Sequence, residues 1–250
     1  MSISNNAIQV YVDSTYRLSG NTSSFRYDLK DPINAKSFKL TSAEIPLTFY
    51  NIRNVSGAPD NNNTFYFSED GTTVLNATIS AGYYTSATII TALQTAMNGA
   101  TTHAYVYTVS FNNTTQKFSI VSTGAWVAMY VNWLSVNWVI GYNANSSGLQ
   151  ATQEANTAPY LDYYQYFYLR LGISAQMCYD ETGSVNRILK IPITNVAGSI
   201  QYYFDVSDNH FELKNSGSNI KGFDIQLLDS DYYPINLNGR EYSFTLTFYY

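Results

Sequence analysis

Apolar and polar residues alternate with period two along much of this chain, which is the pattern of strands that bury one face. Near the N-terminus Ile8, Val10 and Val12 alternate with Gln9, Tyr11 and Asp13. After the turn-rich stretch RLSGNTSS, the run FRYDL sets Phe25, Tyr27 and Leu29 against Arg26 and Asp28. SFKLTSAEIPLTFYNI places Phe38 and Leu40 on one face, and Pro46 breaks or edges that strand. Alternation resumes in YYQYFYLRLGIS, RILKIPIT, IQYYFDV and HFELK. Last, GFDIQLLD and REYSFTLTFYY flank the turn residues of PINLNG and read as a long hairpin. Tyr242, Phe244, Leu246, Phe248 and Tyr250 share one parity of the final run. An unpaired carboxylate is costly to bury, so the run is expected to end at a sandwich rim, with Tyr249 and Tyr250 near solvent or a neighbouring chain.

The texture changes between residues 61 and 157. In YYTSATIITALQTAMNGA, Ile89, Ile90, Leu93, Ala96 and Met97 recur at helical spacing. Thr85 or Ser86 serves as N-cap and Asn98-Gly99 as the stop, so the spacing predicts a helix over about 85–98. AYVYTVSF and QKFSIVS then read as a hairpin around NNTTQ, with Asn113 a candidate for positive φ. From Gly124 to Gly141, GAWVAMYVNWLSVNWVIG carries no charge and nears the length of a membrane span. Asn132, Ser135 and Asn137 interrupt it, and its β-branched residues and tryptophans favour a buried strand and a short helical turn, so no membrane span is expected. YNANSSGLQATQEANTAP reads as a polar linker or long loop. Residues 1–60 and 158–250 are therefore expected to form an antiparallel sandwich or barrel, with 61–157 inserted as a small α+β subdomain. Two sequential domains would leave the first strands without enough partners to bury both faces.

Composition narrows the chemistry. The net charge of −5 lacks the basic footprint of a nucleic-acid binder. Charged residues make up only 12% and tyrosine supplies 24 positions, so recognition would rest on aromatic packing and hydrogen bonds. The single cysteine, Cys178, excludes an internal disulfide and a cysteine-based zinc site, and no basic neighbour activates it. MSISNNAIQVYVD has neither the basic nor the apolar region of a secretory signal, so none is expected and the Asn21, Asn76 and Asn145 sequons carry little weight. His103 and His210 have no partner motif for nucleophilic or metal chemistry and read as exposed loop histidines. Asp229 with Asp231, and Asp205 with Asp208, could make a hydrolase dyad or a weak calcium site, but acidic residues at strand ends are ordinary turn chemistry. The expectation is no catalytic residue, no cofactor and no metal. The run YLDYYQYFY remains: Tyr163, Tyr164, Tyr166 and Tyr168 could form a sugar-stacking platform or an interface, where tyrosine is enriched.

Several segments in order resemble penton-type minor capsid proteins of virophages, Polinton-like viruses and related large DNA viruses. VYVDSTYRLSGNTSSFRYDLKDPINAKSFKLTSAEIPLTFYNI has a first strand ending near Asp13 and a Ser/Gly-rich turn. F-x-x-x-L, Pro32-Ile33 and S-A-E-I-P-x-x-F-Y-N follow, the last at Ser42–Pro46 and Phe49–Asn51. Gly82, Tyr84 and Thr85 are similar to the family's G-x-Y-T before a helix. Phe118, VIGY and YFYLRLG match in order. IQLLDSDYYPINLNGREYSFTL is close to the family ending, with Tyr233 where that turn often has Gly and Tyr242 where it often has Trp. The resemblance implies an all-β single jelly-roll sandwich with an inserted subdomain, forming homopentamers at the fivefold vertices of an icosahedral capsid. It implies contacts with the major capsid protein, no enzymatic activity, and a place in the virion after synthesis in the host cell. The alternatives are another minor capsid protein, or a jelly-roll module that binds a glycan or host receptor through the tyrosine run or the insertion. A jelly-roll hydrolase would rest on the scattered aspartates alone.

Overall fold

The structure is a computed structural model that describes residues 7–54, 61–146, 148–162, 164–173, 178–180, 183–185, 188–207, 210–213 and 218–250. In chain order its elements are β1 (Ala7–Asp13), β2 (Ser19–Asn21), β3 (Ser24–Ala35), β4 (Ser37–Pro46), β5 (Thr64–Ser68), β6 (Leu75–Thr78), α1 (Ser86–Ala100), β7 (Tyr107–Asn112), β8 (Lys117–Ala128), α2 (Val136–Val139) and β9 (Gln150–Glu154). They continue with β10 (Tyr166–Leu171), β11 (Cys178–Asp180), β12 (Gly183–Val185), β13 (Ile188–Pro192), β14 (Ile200–Phe204), β15 (Phe211–Glu212), β16 (Ser218–Leu228) and β17 (Ser243–Tyr249). The chain folds as two compact units, one of Met1–Phe49 with Tyr164–Tyr250 and a second of Tyr50–Tyr163.

In the first unit the strands form two five-stranded antiparallel sheets, β1-β17-β4-β14 with β15 beside β4, and β13-β10-β16-β3-β2, and β11 pairs with β12 in a small antiparallel ladder. Leaving out the short β2, β11, β12 and β15, and numbering the remaining strands in chain order, the sheets read 1-8-3-6 and 5-4-7-2. That interleaving of early and late strands is the jelly roll. The inner faces follow the alternation in the sequence. Val10 and Val12 of β1, Phe38 and Leu40 of β4, and Phe244, Leu246 and Phe248 of β17 are buried on one side. Phe167, Leu169 and Leu171 of β10 and Phe223, Ile225 and Leu227 of β16 are buried on the other.

One expectation fails here. GFDIQLLD and EYSFTLTFYY do not form a hairpin: β16 pairs with β3 and β10, whereas β17 pairs with β1 and β4. The connection between them crosses from one sheet to the other. Ile235 and Leu237 are buried along it, and Tyr232 and Asn238 take positive φ. The final strand is also more than half-buried. Thr245 and Thr247 face away from the core yet are buried, because β17 is flanked by β1 and β4 and its hydroxyls meet Ser42 at 3.1 Å and Thr41 at 2.5 Å. The chain reaches the rim as expected: Tyr249 is half-buried and Tyr250 exposed.

In the second unit β6-β5-β8-β7, with β9 beside β8, forms a sheet, and α1 packs on β6 and β7. Ile89, Leu93 and Met97 lie four residues apart and form the buried stripe of α1. Its start is a reciprocal cap: Thr88 N–H donates to Thr85 Oγ1 at 3.3 Å, and Thr85 N–H to Thr88 Oγ1 at 2.9 Å. The helix runs past the expected stop at Asn98-Gly99. The Asn98 side chain is taken up by Tyr107, accepting from its N–H at 2.7 Å and donating to its carbonyl at 3.1 Å, so it holds the helix to β7.

Trp126, Tyr107, Tyr142, Phe65, Phe67 and Phe118 fill the core of this unit. The uncharged stretch Gly124–Gly141 is the end of β8 and the short α2, and among the described residues no helix is long and apolar enough to cross a membrane. Positive φ falls on Gln116, at 56°, instead of Asn113. The polar stretch after Gly141 contains β9, which the sequence hides because Gln153 is its buried side chain. The Gln153 amide donates to the carbonyls of Trp126 and Gly148 at 2.8 and 2.9 Å.

Candidate assembly surfaces

Strand β10 sends Phe167, Leu169 and Leu171 inward, so the tyrosines between them must point outward. Tyr166 and Tyr168 lie 5.1 Å apart on that outer face. Tyr232 stacks on Tyr168 at 5.2 Å with the rings 7° from parallel, and the Lys190 ammonium sits 3.9 Å above the Tyr166 ring. Ring faces that a sugar would use are thus engaged within the protein. The rest of the expected run does not join them. Tyr164 is buried, edge-on to Phe49 at 4.6 Å, and Tyr163 lies outside the described residues.

Further along the same face, cross-strand register sets Arg170 beside Gln226 and Gln226 beside Ser24, with Asp224 beside Arg26. Between them lies an open cleft of about 510 Å³ lined by Ser19, Ser24, Arg26, Arg170, Asp224 and Gln226. Gly20 and Gly172 complete its lining, and at Gly20 the backbone of β2 closely approaches that of β3. A Cβ on Gly20, whose φ is +96°, would fall 2.2 Å from the Ser24 carbonyl oxygen. Arg26 is committed, with Nε 2.7 Å from Asp28 and Nη1 3.6 Å from Asp224. Arg170 donates one long hydrogen bond, 3.4 Å to Gln226 Oε1, and has no ion pair among the described residues.

The outer face of the β1-β17-β4-β14 sheet is different. Register aligns Tyr11, Thr245, Ser42 and Phe204 in one row, and Asp13, Ser243, Glu44 and Tyr202 in the next. The middle of the face is a carpet of hydroxyls, and Ser243 donates to Glu44 at 2.8 Å. Its two edges are aromatic. Ile200, Tyr202 and Phe204 alternate outward along edge strand β14 with exposures of 39%, 66% and 67%, Val206 follows at 89%, and Tyr11 on β1 stands 71% exposed. Tyr249 packs edge-on to His210, 4.2 Å between ring centres.

The second unit holds a buried carboxylate that motif reasoning misses. Glu69 is buried and accepts from Thr102 N and Oγ1 at 3.0 and 2.8 Å, His103 N and Nδ1 at 3.0 and 2.9 Å, Tyr107 Oη at 2.9 Å, and Thr101 Oγ1. Burial pushes its carboxyl up, but the Thr101, His103 and Thr102 hydrogen bonds outweigh this and hold it at about 2. Burial and the same carboxylate raise the Tyr107 phenol. No signal in the sequence pairs Glu69 with donors more than thirty residues away. The arrangement ties the end of β5 to the turn after α1, with every donor used in holding the fold. His103 is therefore only half free, its ring exposed but its Nδ1 engaged.

The aspartates are turn residues. Asp229 Oδ1 accepts from Asp231 N and Tyr233 N at 2.9 and 2.8 Å, and Asp205 from Ser207 N at 2.8 Å. Asp208 lies outside the described residues, as does the Cys178 side chain. Among the described residues no three His, Cys, Asp or Glu side chains could hold a metal.

No family model and no curated protein sequence matches the chain. Among solved structures it is similar to the mavirus penton protein, with a TM-score of 0.53 and 10% identity over 97% of this chain and 98% of that one. The fold is that of a virophage penton protein. A chain in the structure of the Sputnik virophage also aligns, at a TM-score of 0.43 and 13% identity over 96% of this chain and 97% of that one. The coverage of the mavirus match takes in the second unit as well as the jelly roll. On the surfaces of this penton fold, residue type alone marks Tyr166 and Tyr168. Arg170, Lys190, Tyr232 and the β14 row escape sequence reasoning, although the alternation in IQYYF is a usable signal for the last.

Proposed function

We propose that this chain is a structural capsid protein, a penton that forms homopentamers at the fivefold vertices and contacts the major capsid protein there. The observation that carries the proposal is the near-end-to-end match to the mavirus penton protein, insertion included. Identity of 10% speaks for the fold alone, so surface chemistry has to supply the rest. It favours assembly: aromatic side chains, hydroxyls and few charges are the composition of protein interfaces. No catalytic role is proposed. A glycan platform on Tyr166 and Tyr168 is the weaker reading, because Lys190 and Tyr232 already occupy ring faces there.

The test is the mass of the purified chain by light scattering or native mass spectrometry. A homopentamer weighs about 140 kDa, five copies of the 28.1 kDa chain. A monodisperse monomer at high concentration that also fails to join capsids would overturn the proposal.

A further inference from the structure

The two outer faces of the jelly roll differ in character. That of β1-β17-β4-β14 carries Asp13, Glu44 and Glu212 against Lys39, whose Nζ already donates to the Ser207 carbonyl at 3.0 Å. It also bears the apolar row of Ile200, Tyr202, Phe204 and Val206. These four side chains expose roughly 500 Å², taking about 150–250 Å² for each large side chain when fully exposed, and Tyr11 stands apart at the other edge of the sheet. A standard interface buries about 800 Å² per partner, and a patch of this size is at the upper end for a monomer. The opposite face carries Arg26, Arg170 and Lys190 against Asp28 and Asp224, a small positive balance; both aspartates lie beside Arg26, and Arg170 and Lys190 have no carboxylate in ion-pair range among the described residues. It also carries the open cleft beside Arg170 and the Tyr166, Tyr168 and Tyr232 cluster.

We infer that the acidic, aromatic β14 face of one copy docks on the arginine-lined β10 face of the next copy, head to tail. This rests on the homopentamer reading and names its interface. Three features point to a second copy as the occupant. The charges of the two faces are opposite in sign, and acidic side chains on one face meet a guanidinium with free donors on the other. The apolar area is close to what one stable contact requires. The two patches are different and lie on opposite faces of one sandwich, which makes the contact heterologous, the kind that builds a ring when the rotation between copies closes. Tyr202 and Phe204 provide the apolar anchors. The Arg170 cleft takes a carboxylate from the neighbour.

The test uses the full chain and two kinds of variant. Tyr202→Glu/Phe204→Glu alters the first face; Arg170→Glu alters the second, with Lys190→Glu as an exposed alternative if Arg170→Glu folds poorly. Circular dichroism and melting check that each keeps its fold. Each variant alone is expected to lose the ring and run as a monomer where the parent is pentameric. A mixture of one variant from each face leaves one intact junction, so it should give a 1:1 heterodimer by native mass spectrometry and no ring. A monomeric parent overturns the homopentamer reading and the interface with it. A pentameric parent whose folded variants stay pentameric overturns only the assignment of faces. Loss of assembly in the first variant alone, or no heterodimer in the mixture, overturns the head-to-tail pairing.

Discussion

Replacing Glu69 by Gln removes the charge at the junction of β5 and the turn after α1 while keeping the side-chain volume. Its carboxyl is held at about 2 against an ordinary 4.5. At about 1.4 kcal/mol per unit, the ionised form stabilises the fold by about 3 kcal/mol at neutral pH. The hydrogen-bond geometry gives a similar figure. A Gln amide cannot accept from all the donors that Glu69 serves, and leaving even one or two buried donors unpaired, Tyr107 Oη among them, costs about 1–3 kcal/mol each. Because the folded carboxyl is depressed, its contribution is fully present above the unfolded value of about 4.5 and is lost as pH falls through about 2. Urea unfolding of the parent and Glu69→Gln should therefore differ by about 3 kcal/mol at pH 7. The gap should shrink by about 2 kcal/mol on going to pH 3. A difference below about 1 kcal/mol at pH 7, or one that does not change with pH, would refute this account of the site.

Tyr242 buries its phenolic oxygen with no hydrogen-bond partner among the described residues, and burial raises that phenol. Tyr242→Phe should then be neutral or stabilising by up to about 1 kcal/mol in thermal unfolding; a loss of about 2 kcal/mol or more would mean the hydroxyl is satisfied. Asn137 completes the ladder beside β5, accepting from Tyr66 N–H at 2.7 Å and donating to Tyr66 carbonyl at 2.8 Å. Asn137→Ala strips a fully buried partner from both groups and should cost about 2–4 kcal/mol by urea titration, and a cost under about 1 kcal/mol would contradict that role. Gly124 backs directly on the Tyr105 ring, where a Cβ would fall 2.2 Å from the ring carbon Cζ. Gly124→Val should lower the melting temperature of the chain, while Gly99→Ala, facing open space within α1, should hold or raise it.

Local period is legible in the sequence and long-range pairing is not. The alternation in FRYDL, YFYLRL and SFTLTFY names the buried faces of β3, β10 and β17, because one-sided burial writes itself into every second residue. The stripe Ile89, Leu93 and Met97 does the same for α1. What alternation does not encode is the neighbour. PINLNG has the polarity of a hairpin turn, and a hairpin and a crossover between sheets place the same demands on those residues, so the β16–β17 link reads as the wrong one of the two. Strand β9 is hidden because glutamine takes the buried position, satisfied by two carbonyls that only the fold brings near.

The surfaces follow the same division. Tyr166 and Tyr168 stand out as residue types in a run, whereas Arg170 matters through what β10 and β16 place beside it. Glu69 is the extreme case, since its donors converge only after α1 has folded back on the sheet. The jelly roll itself comes through the resemblance of ordered motifs, and its sheets of 1-8-3-6 and 5-4-7-2 come from the structure.

A penton occupies the fivefold vertices, so electron cryo-microscopy of particles assembled with this chain, with fivefold averaging at the vertices, is the most direct test of the proposed function. Five copies of the jelly roll are expected around each vertex axis. Particles whose vertices are built from another protein, with this chain elsewhere or absent, would contradict it.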